Sequence, residues 1–258
     1  MQVRHVPAAT GWRWVTEGFA ILAKTPMPLI AACILMILTL VVLSAAPVFG
    51  RFLPWVLSPA LSFGYLQAIR RAQEGKPPGP WTLFVGLRTS GGGIRRSLLQ
   101  LGVINAVATA LAMLLTALID GGEWMRILSD AQRQRPTPAG DTDTAYAALT
   151  FVVLYTPIQL AMWYAPLFAG LHRTPPLKAM VFSAIAVWRN KGAFFFYFAG
   201  WFIVAIALSA LVQALLAMVP PQIGSVVIAP VLVFLMIAAL YCSFWPTYRD
   251  TIDPIAIE

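Results

Sequence analysis

The chain has 258 residues, of which 59% are hydrophobic and only 11% charged, and its mean hydropathy is +0.77. Soluble domains carry roughly 25% charged residues, so a water-soluble fold is excluded, and the continuous apolar runs exclude a membrane β-barrel, whose strands alternate over about ten residues. The net charge of +8 does not point to nucleic acid, because the bases sit at the ends of apolar segments and form no long block; that placement sets topology and meets anionic lipid headgroups.

The first element is the stretch TGWRWVTEGFAILAK, residues 10–24. At about 100° per residue, Arg13, Thr16, Glu17, Ala20 and Lys24 share one arc, while Trp12, Trp14, Val15, Gly18, Phe19 and Leu22 fill the other. This is an amphipathic helix suited to the membrane plane, with Trp12 and Trp14 among the headgroups and Arg13 and Lys24 facing their charge. Thr10 is the expected N-cap, and Pro26 and Pro28 end the helix where the chain turns into the bilayer. The competing reading is a signal peptide. Its core would be shorter than the apolar run that follows, and a cleavage after Ala46 would face Pro47, so a retained first span is expected.

About 20 apolar residues cross the hydrocarbon core, and six stretches qualify: 27–46, 53–69, 98–119, 146–171, 194–219 and 223–245. The weakest is 53–69, which carries Pro54 and Pro59 and reads either as a span or as a re-entrant segment. Charge favours a span. With six crossings, one side holds Arg4, Arg13, Lys24, Arg70, Arg71, Lys76, Arg88, Arg95, Arg96, Arg173, Lys178, Arg189, Lys191 and Arg249, leaving only Arg51, Arg126, Arg133 and Arg135 of the 18 bases opposite. The positive-inside rule then places both termini in the cytoplasm.

The stretch TSGGGIRR, residues 89–96, combines a glycine run with Arg95 and Arg96 at a helix start. It reads as a hinge with headgroup anchoring; the alternative is a phosphate site built from exposed backbone N–H groups. The loop 120–145 is the only long stretch on the outer side, and its tail is rich in turn formers. Its acids Asp120, Glu123, Asp130, Asp141 and Asp143 are interspersed with arginines and read as solvated.

No Asp, Glu, Lys, Arg or His lies in the middle of any span, which argues against an ion-coupled pump. Mid-span polar residues include Asn105, Thr109, Thr116, Gln159, Ser209 and Gln213. Hydrogen bonds between helices account for such residues; the functional alternative makes Asn105, Gln159 and Gln213 the lining of a cavity. Pro59, Pro157, Pro166 and Pro230 kink the spans they occupy. His5 and His172 read as interfacial, and Cys33 and Cys242 as apolar packing residues without metal-ligand spacing. No catalytic triad, HExxH or zinc pattern is present, so no enzyme activity, metal or cofactor is expected.

The sequence also repeats loosely. Each pair of spans follows a short segment pairing a Phe with a base: Phe19 and Lys24, Phe84 and Arg88, Phe182 and Arg189, the last beside Trp188. The second span of each pair carries a late proline before an arginine, in SPALSFGYLQAIRR, YAPLFAGLHR and FWPTYR. The expected architecture is therefore an all-α integral membrane domain of six transmembrane helices in three hairpins, each preceded by an interfacial or re-entrant segment. Its units are 1–70, 71–171 and 172–258.

Val6, Pro7, Ala8, Gly11, Trp12, Trp14, Gly18, Phe19 and Lys24 spell a V-P-A-x-x-G-W-x-W start, then G-F and a base before the first span. This resembles a family of uncharacterised proteobacterial inner-membrane proteins, as does LSPALSFGYLQAIRRAQEGKPP followed by LFVGLR. More distantly, the repeated hairpins are similar to the membrane domain of some bacterial glycerophosphodiester phosphodiesterases. The resemblance implies a fold and an inner-membrane location but no catalytic residue. The expectation is a non-enzymatic accessory or scaffold protein that binds anionic lipid headgroups, a membrane-protein partner or a second copy of itself, and no nucleic acid. Its interfacial anchors would be Trp12, Arg13, Trp14, Lys24, Arg88, Arg95, Arg96, Trp188 and Arg189. The alternative is a small permease or lipid-handling transporter without intramembrane charge coupling.

Overall fold

A computed structural model describes residues 3–47, 50, 52–88, 93–132, 142–219 and 223–252. The amphipathic first segment becomes α1 (Thr10–Lys24). Its cap differs from expectation. Thr10 is already inside the helix, the N-cap is Ala9 without a side-chain bond, and the first amides are instead met by the carbonyls of Pro7 and Ala8 in the preceding turn. Pro26 opens α2 (Pro26–Ser44), and α3 (Leu53–Gln73) follows with Pro54 in its first turn and Pro59 accommodated inside. A 3₁₀ turn (Pro80–Phe84) runs into the short α4 (Val85–Arg88). Next come α5 (Gly93–Asp120), the outer-loop helix α6 (Glu123–Gln132) and α7 (Thr142–Met162). The last elements are α8 (Ala165–Leu171), α9 (Pro176–Arg189), α10 (Lys191–Met218), a π turn (Gly224–Ile228) and α11 (Ala229–Thr251).

The expected continuous helix over 146–171 is broken at Trp163 and Tyr164. Pro166 has no N–H, and its ring opposes the carbonyl of residue 162, where α7 stops. Pro157, one turn earlier, stays inside α7 without breaking it.

Five stretches are long and apolar enough to cross a membrane: α2, α5, α7 with α8, α10 and α11. The remaining long helix, α3, has 21 residues, about 31 Å at 1.5 Å per residue, but its serines, prolines and the pair Arg70 and Arg71 make it less apolar. It packs on α2, where the Tyr65 hydroxyl donates to the Leu29 carbonyl near the start of α2 at 3.1 Å.

The described ends of the chain meet. Val3 forms an antiparallel bridge with Ile252, and the Arg4 amide donates to the Thr251 carbonyl at 2.9 Å. Asn190 clamps the same region, accepting from the Val6 amide at 2.9 Å and donating to the Arg4 carbonyl at 3.0 Å. We call this the terminal face.

The short segments are distributed cyclically over the long helices. The first, α1, packs on α10 and α11; the 3₁₀ turn and α4 pack on α3; and α9 packs on α7 and α8. Small residues permit these approaches, as is usual where helices meet in lipid. At Gly64 an added Cβ would overlap the Leu83 carbonyl, and at Gly102 it would overlap the carbonyl of Val56.

Candidate functional site

Where α3, α5, α7, α8, α10 and α11 converge, the bundle leaves a cavity of about 510 Å3. It exists because α10 leans on α1 and touches α7 scarcely at all, so the space between α7 and α10 is not closed by side chains. Its wall is aromatic, with Trp163, Trp201, Tyr241, Phe198 and Phe244. Trp163 stacks on Phe244 at 4.2 Å between ring centroids, and its edge meets Phe198. Few polar groups face this wall: Ser58 and Ser62 on α3, Asn105 on α5 and Gln159 on α7. Asn105 is 8% exposed, and its Oδ1 has no hydrogen-bond partner. The indole N–H groups of Trp163 and Trp201 also lack a well-formed hydrogen bond. Burying a polar atom unpaired costs about 1–3 kcal/mol, a penalty that Asn105 Oδ1 carries in this wall. A mostly apolar hollow of several hundred cubic ångströms with a few fixed polar groups is the usual form of a small-molecule site.

Of the three residues expected to line a cavity, Asn105 and Gln159 do so and Gln213 does not. Gln213 is exposed farther along α10. The aromatic wall was not foreseen. Its signal was available in the sequence as WY at 163–164 and the aromatic-rich 194–202, but such residues serve equally well as lipid-facing or interfacial groups.

The expected interfacial anchors separate into two sets. Trp14 turns inward and is fully buried. It packs on Phe194 and Tyr197 with centroids 5.5 and 6.1 Å away, and its Nε1 donates to Asp250 at 3.0 Å. Arg13 pairs with the same carboxylate at 2.7 Å, while Arg249 bridges Asp250 and Glu17. These four charged groups bolt α1 to the end of α11. Trp12, Lys24, Arg95, Arg96, Trp188 and Arg189 remain exposed. Arg88 lies over the exposed Trp81 ring, and Lys191 over Trp188. The glycine run 89–92 lies outside the described residues, so the phosphate-loop expectation keeps only Gly93, Arg95 and Arg96, at the start of α5.

Among the described residues no group of three or more His, Cys, Asp or Glu side chains is placed to hold a metal ion. The two cysteines are buried and free. His5 accepts no acid partner and lies against the Arg189 carbonyl, whereas His172 hydrogen-bonds the Tyr248 hydroxyl at 2.7 Å.

Long apolar helices whose outward faces are covered with exposed leucine, valine, isoleucine and phenylalanine define a multi-pass α-helical membrane protein. The chain is 32% identical over 251 residues, 96% of its length and 93% of the relative's, to a protein of Burkholderia thailandensis described as a probable inner membrane protein. It belongs to that family of inner-membrane proteins. No family model matches the chain, and no solved structure matches it.

Proposed function

We propose that this is a non-enzymatic, six-span inner-membrane protein with both termini in the cytoplasm, which binds a membrane-derived amphiphile in its aromatic cavity. The observation that carries the reading is the unpartnered Asn105 Oδ1 in a cavity otherwise walled by apolar and aromatic side chains. A guest with an apolar body and a hydrogen-bond donor near one end satisfies both features.

Three features support the topology. The chain ends are bridged on one face, which requires an even number of crossings, and five stretches are already apolar enough to cross. In this reading α3, which packs on α2, is the sixth. The basic residues then gather on the terminal face, as the positive-inside rule requires of a cytoplasmic side. The cyclic seating of α1, α4 and α9 supports an arrangement of three hairpins, each with its own short segment.

The test is native mass spectrometry of the protein purified in a mild detergent, with lipid extraction of the same sample. The natural protein is expected to retain one equivalent of co-purified amphiphile that Ser62→Phe, which fills the cavity, loses. Loss of the guest from a variant that still elutes as a folded monodisperse species supports the reading. An empty natural protein, or equal occupancy in Ser62→Phe, overturns it.

A further inference from the structure

A second cavity, of about 650 Å3, opens on the terminal face between the end of α3, the 3₁₀ turn and the end of α8. Its polar side is formed by Arg70, Arg71 and Arg173. Arg70 is compensated by Glu74 at 3.2 Å, and Glu74 is shared with Lys76. Among the described residues no carboxylate lies within ion-pair distance of Arg71 or Arg173. Three guanidinium groups thus share one hollow with a single, already engaged acid beside it.

The hollow is not a bare charged patch. Phe63, Gly170 and Leu171 form an apolar floor, and Trp81 stands at the rim, 67% exposed. Arg173 also holds a backbone conformation unusual for its type, with φ at +50°. That left-handed geometry normally goes to Gly or Asn after a helix end and is strained for a residue with a Cβ. Holding it here keeps a guanidinium at the hollow where glycine would leave none.

Guanidinium forks recognise the oxygens of a phosphate in pairs. Arg70 and Arg71 sit in the last turn of a 21-residue helix, beside the apolar floor of the hollow. We propose that this cavity binds the phosphate of an anionic phospholipid, with Arg71 and Arg173 as its ligands, Arg70 beside them, and the glycerol and first acyl carbons against Phe63 and Leu171. Trp81 marks the depth at which the headgroup rests. The site is separate from the aromatic cavity and does not depend on it.

The experiment titrates the detergent-solubilised full chain with short-chain phosphatidylglycerol, short-chain phosphatidylcholine and inorganic phosphate, reading bound adducts by native mass spectrometry and protection by thermal shift. Phosphatidylglycerol is expected to bind about tenfold more tightly than phosphatidylcholine, since each juxtamembrane base contributes on the order of 1 kcal/mol toward anionic lipid. Arg71→Gln with Arg173→Gln removes that preference, whereas Arg71→Lys with Arg173→Lys keeps part of it. Both positions are exposed, so these variants fold, which gel filtration verifies. Ser62→Phe leaves the preference unchanged. Equal binding of the two lipids, or a preference that survives the double glutamine variant, overturns the proposal. Full competition by millimolar inorganic phosphate overturns the assignment to a lipid and leaves a free-phosphate site.

Discussion

The Ser183 hydroxyl occupies the place of a missing helix hydrogen bond at Tyr164. In an unbroken helix the Tyr164 amide would donate to the Leu160 carbonyl, four residues earlier. Instead it donates to Ser183 Oγ at 2.8 Å, and Ser183 donates onward to the Leu160 carbonyl at 2.8 Å. A hydroxyl from α9 is thereby inserted into the backbone ladder of the span, one of the few physical causes of a sharp helix break. The inserted residue is fully buried, so no water can replace it, and α9 is fixed to the joint that shapes the cavity wall at Trp163.

Ser183→Ala leaves an amide and a carbonyl unpaired in an apolar setting. Each buried orphan costs about 1–3 kcal/mol, so the variant is expected to unfold in detergent at a clearly lower temperature than the natural protein. It should also lose part of any guest retained in the aromatic cavity, because Trp163 sits at the released joint. Thermal unfolding followed by tryptophan fluorescence, with the native mass spectrum of each sample, checks both effects. An unchanged melting temperature would mean that the joint is held by Pro166 alone.

Close helix approach makes a second, steric prediction. Gly64 faces the Leu83 carbonyl, and a side chain there must push α3 and the 3₁₀ turn apart. Overpacking of this kind costs typically about 1–3 kcal/mol. Gly64→Ala is therefore expected to destabilise. Gly79, only a few residues from Leu83, has open space around it and an ordinary φ, so Gly79→Ala is expected to be nearly silent. Gel filtration and thermal unfolding of the two variants side by side give the comparison.

Much of this was readable from the residues. The lengths and hydropathy of 27–46, 98–119 and 194–219 correspond to α2, α5 and α10 within a few positions, because a bilayer demands a long apolar helix and little else. Of the expected arc, Trp14, Val15, Gly18 and Leu22 form one buried face of α1, whereas Trp12 and Phe19 are exposed. What that face meets was not readable: hydropathy scores a tryptophan packed on Tyr197 and one resting in lipid alike. Asp250 was equally hidden, since a carboxylate near a helix end has meaning only once Arg13 and Trp14 converge on it from 237 and 236 residues away and Arg249 from next door. The break at Tyr164 was half readable. Pro166 announces a disturbance, but only the partner Ser183 on α9 decides where the ladder opens.

Asp250 gives a third prediction. It is the shared acceptor of Arg13 and the Trp14 indole, and its side chain is 13% exposed. Removing it leaves a buried indole N–H unpaired and three charges on α1 and α11 without their centre. Asp250→Ala is expected to cost about 2–3 kcal/mol, in the range of hydrogen bonds to charged groups, and to loosen α1 preferentially. Hydrogen exchange should rise across residues 10–24 while α5 stays protected. Uniform loss of protection would mean that α1 and the bundle unfold together.

His172 sets a pH dependence. Burial holds its imidazole below the ordinary value of 6.5, because the charged form is the one that loses by leaving water. The Tyr248 hydroxyl can accept from the charged ring as well as from the neutral one, so that bond does not offset the penalty. The unfolded chain therefore binds more protons than the folded one between the depressed value and 6.5. Stability rises with pH through that window, is full above 6.5 and is lost as the pH falls through the folded value. Thermal unfolding measured from pH 7.5 down to 5 is expected to decline on the acid side, and His172→Gln to flatten that decline. An equal decline in the variant would assign it to other groups.

The proposed six crossings give the most direct check. With α3 as a span, Gly79 and Leu177 lie on the same side as the bridged ends, and Asp143 lies opposite. If α3 only dips into the membrane, α5 still separates Gly79 from Asp143, but Arg4, Arg13 and Lys24 are left on the side of Asp143 and the basic segments are split between the faces. Cys33 and Cys242 are both buried, so the natural chain gives a silent background for a bulky, membrane-impermeant maleimide. Asp143→Cys is expected to label in intact cells, whereas Ala9→Cys, Gly79→Cys and Leu177→Cys label only after the membrane is opened. Labelling of Ala9→Cys and Gly79→Cys on opposite sides would remove α3 from the spans. The Val3–Ile252 bridge would then need another crossing to be lost as well, and the break at Tyr164 is the one place in the described chain where a span is already interrupted.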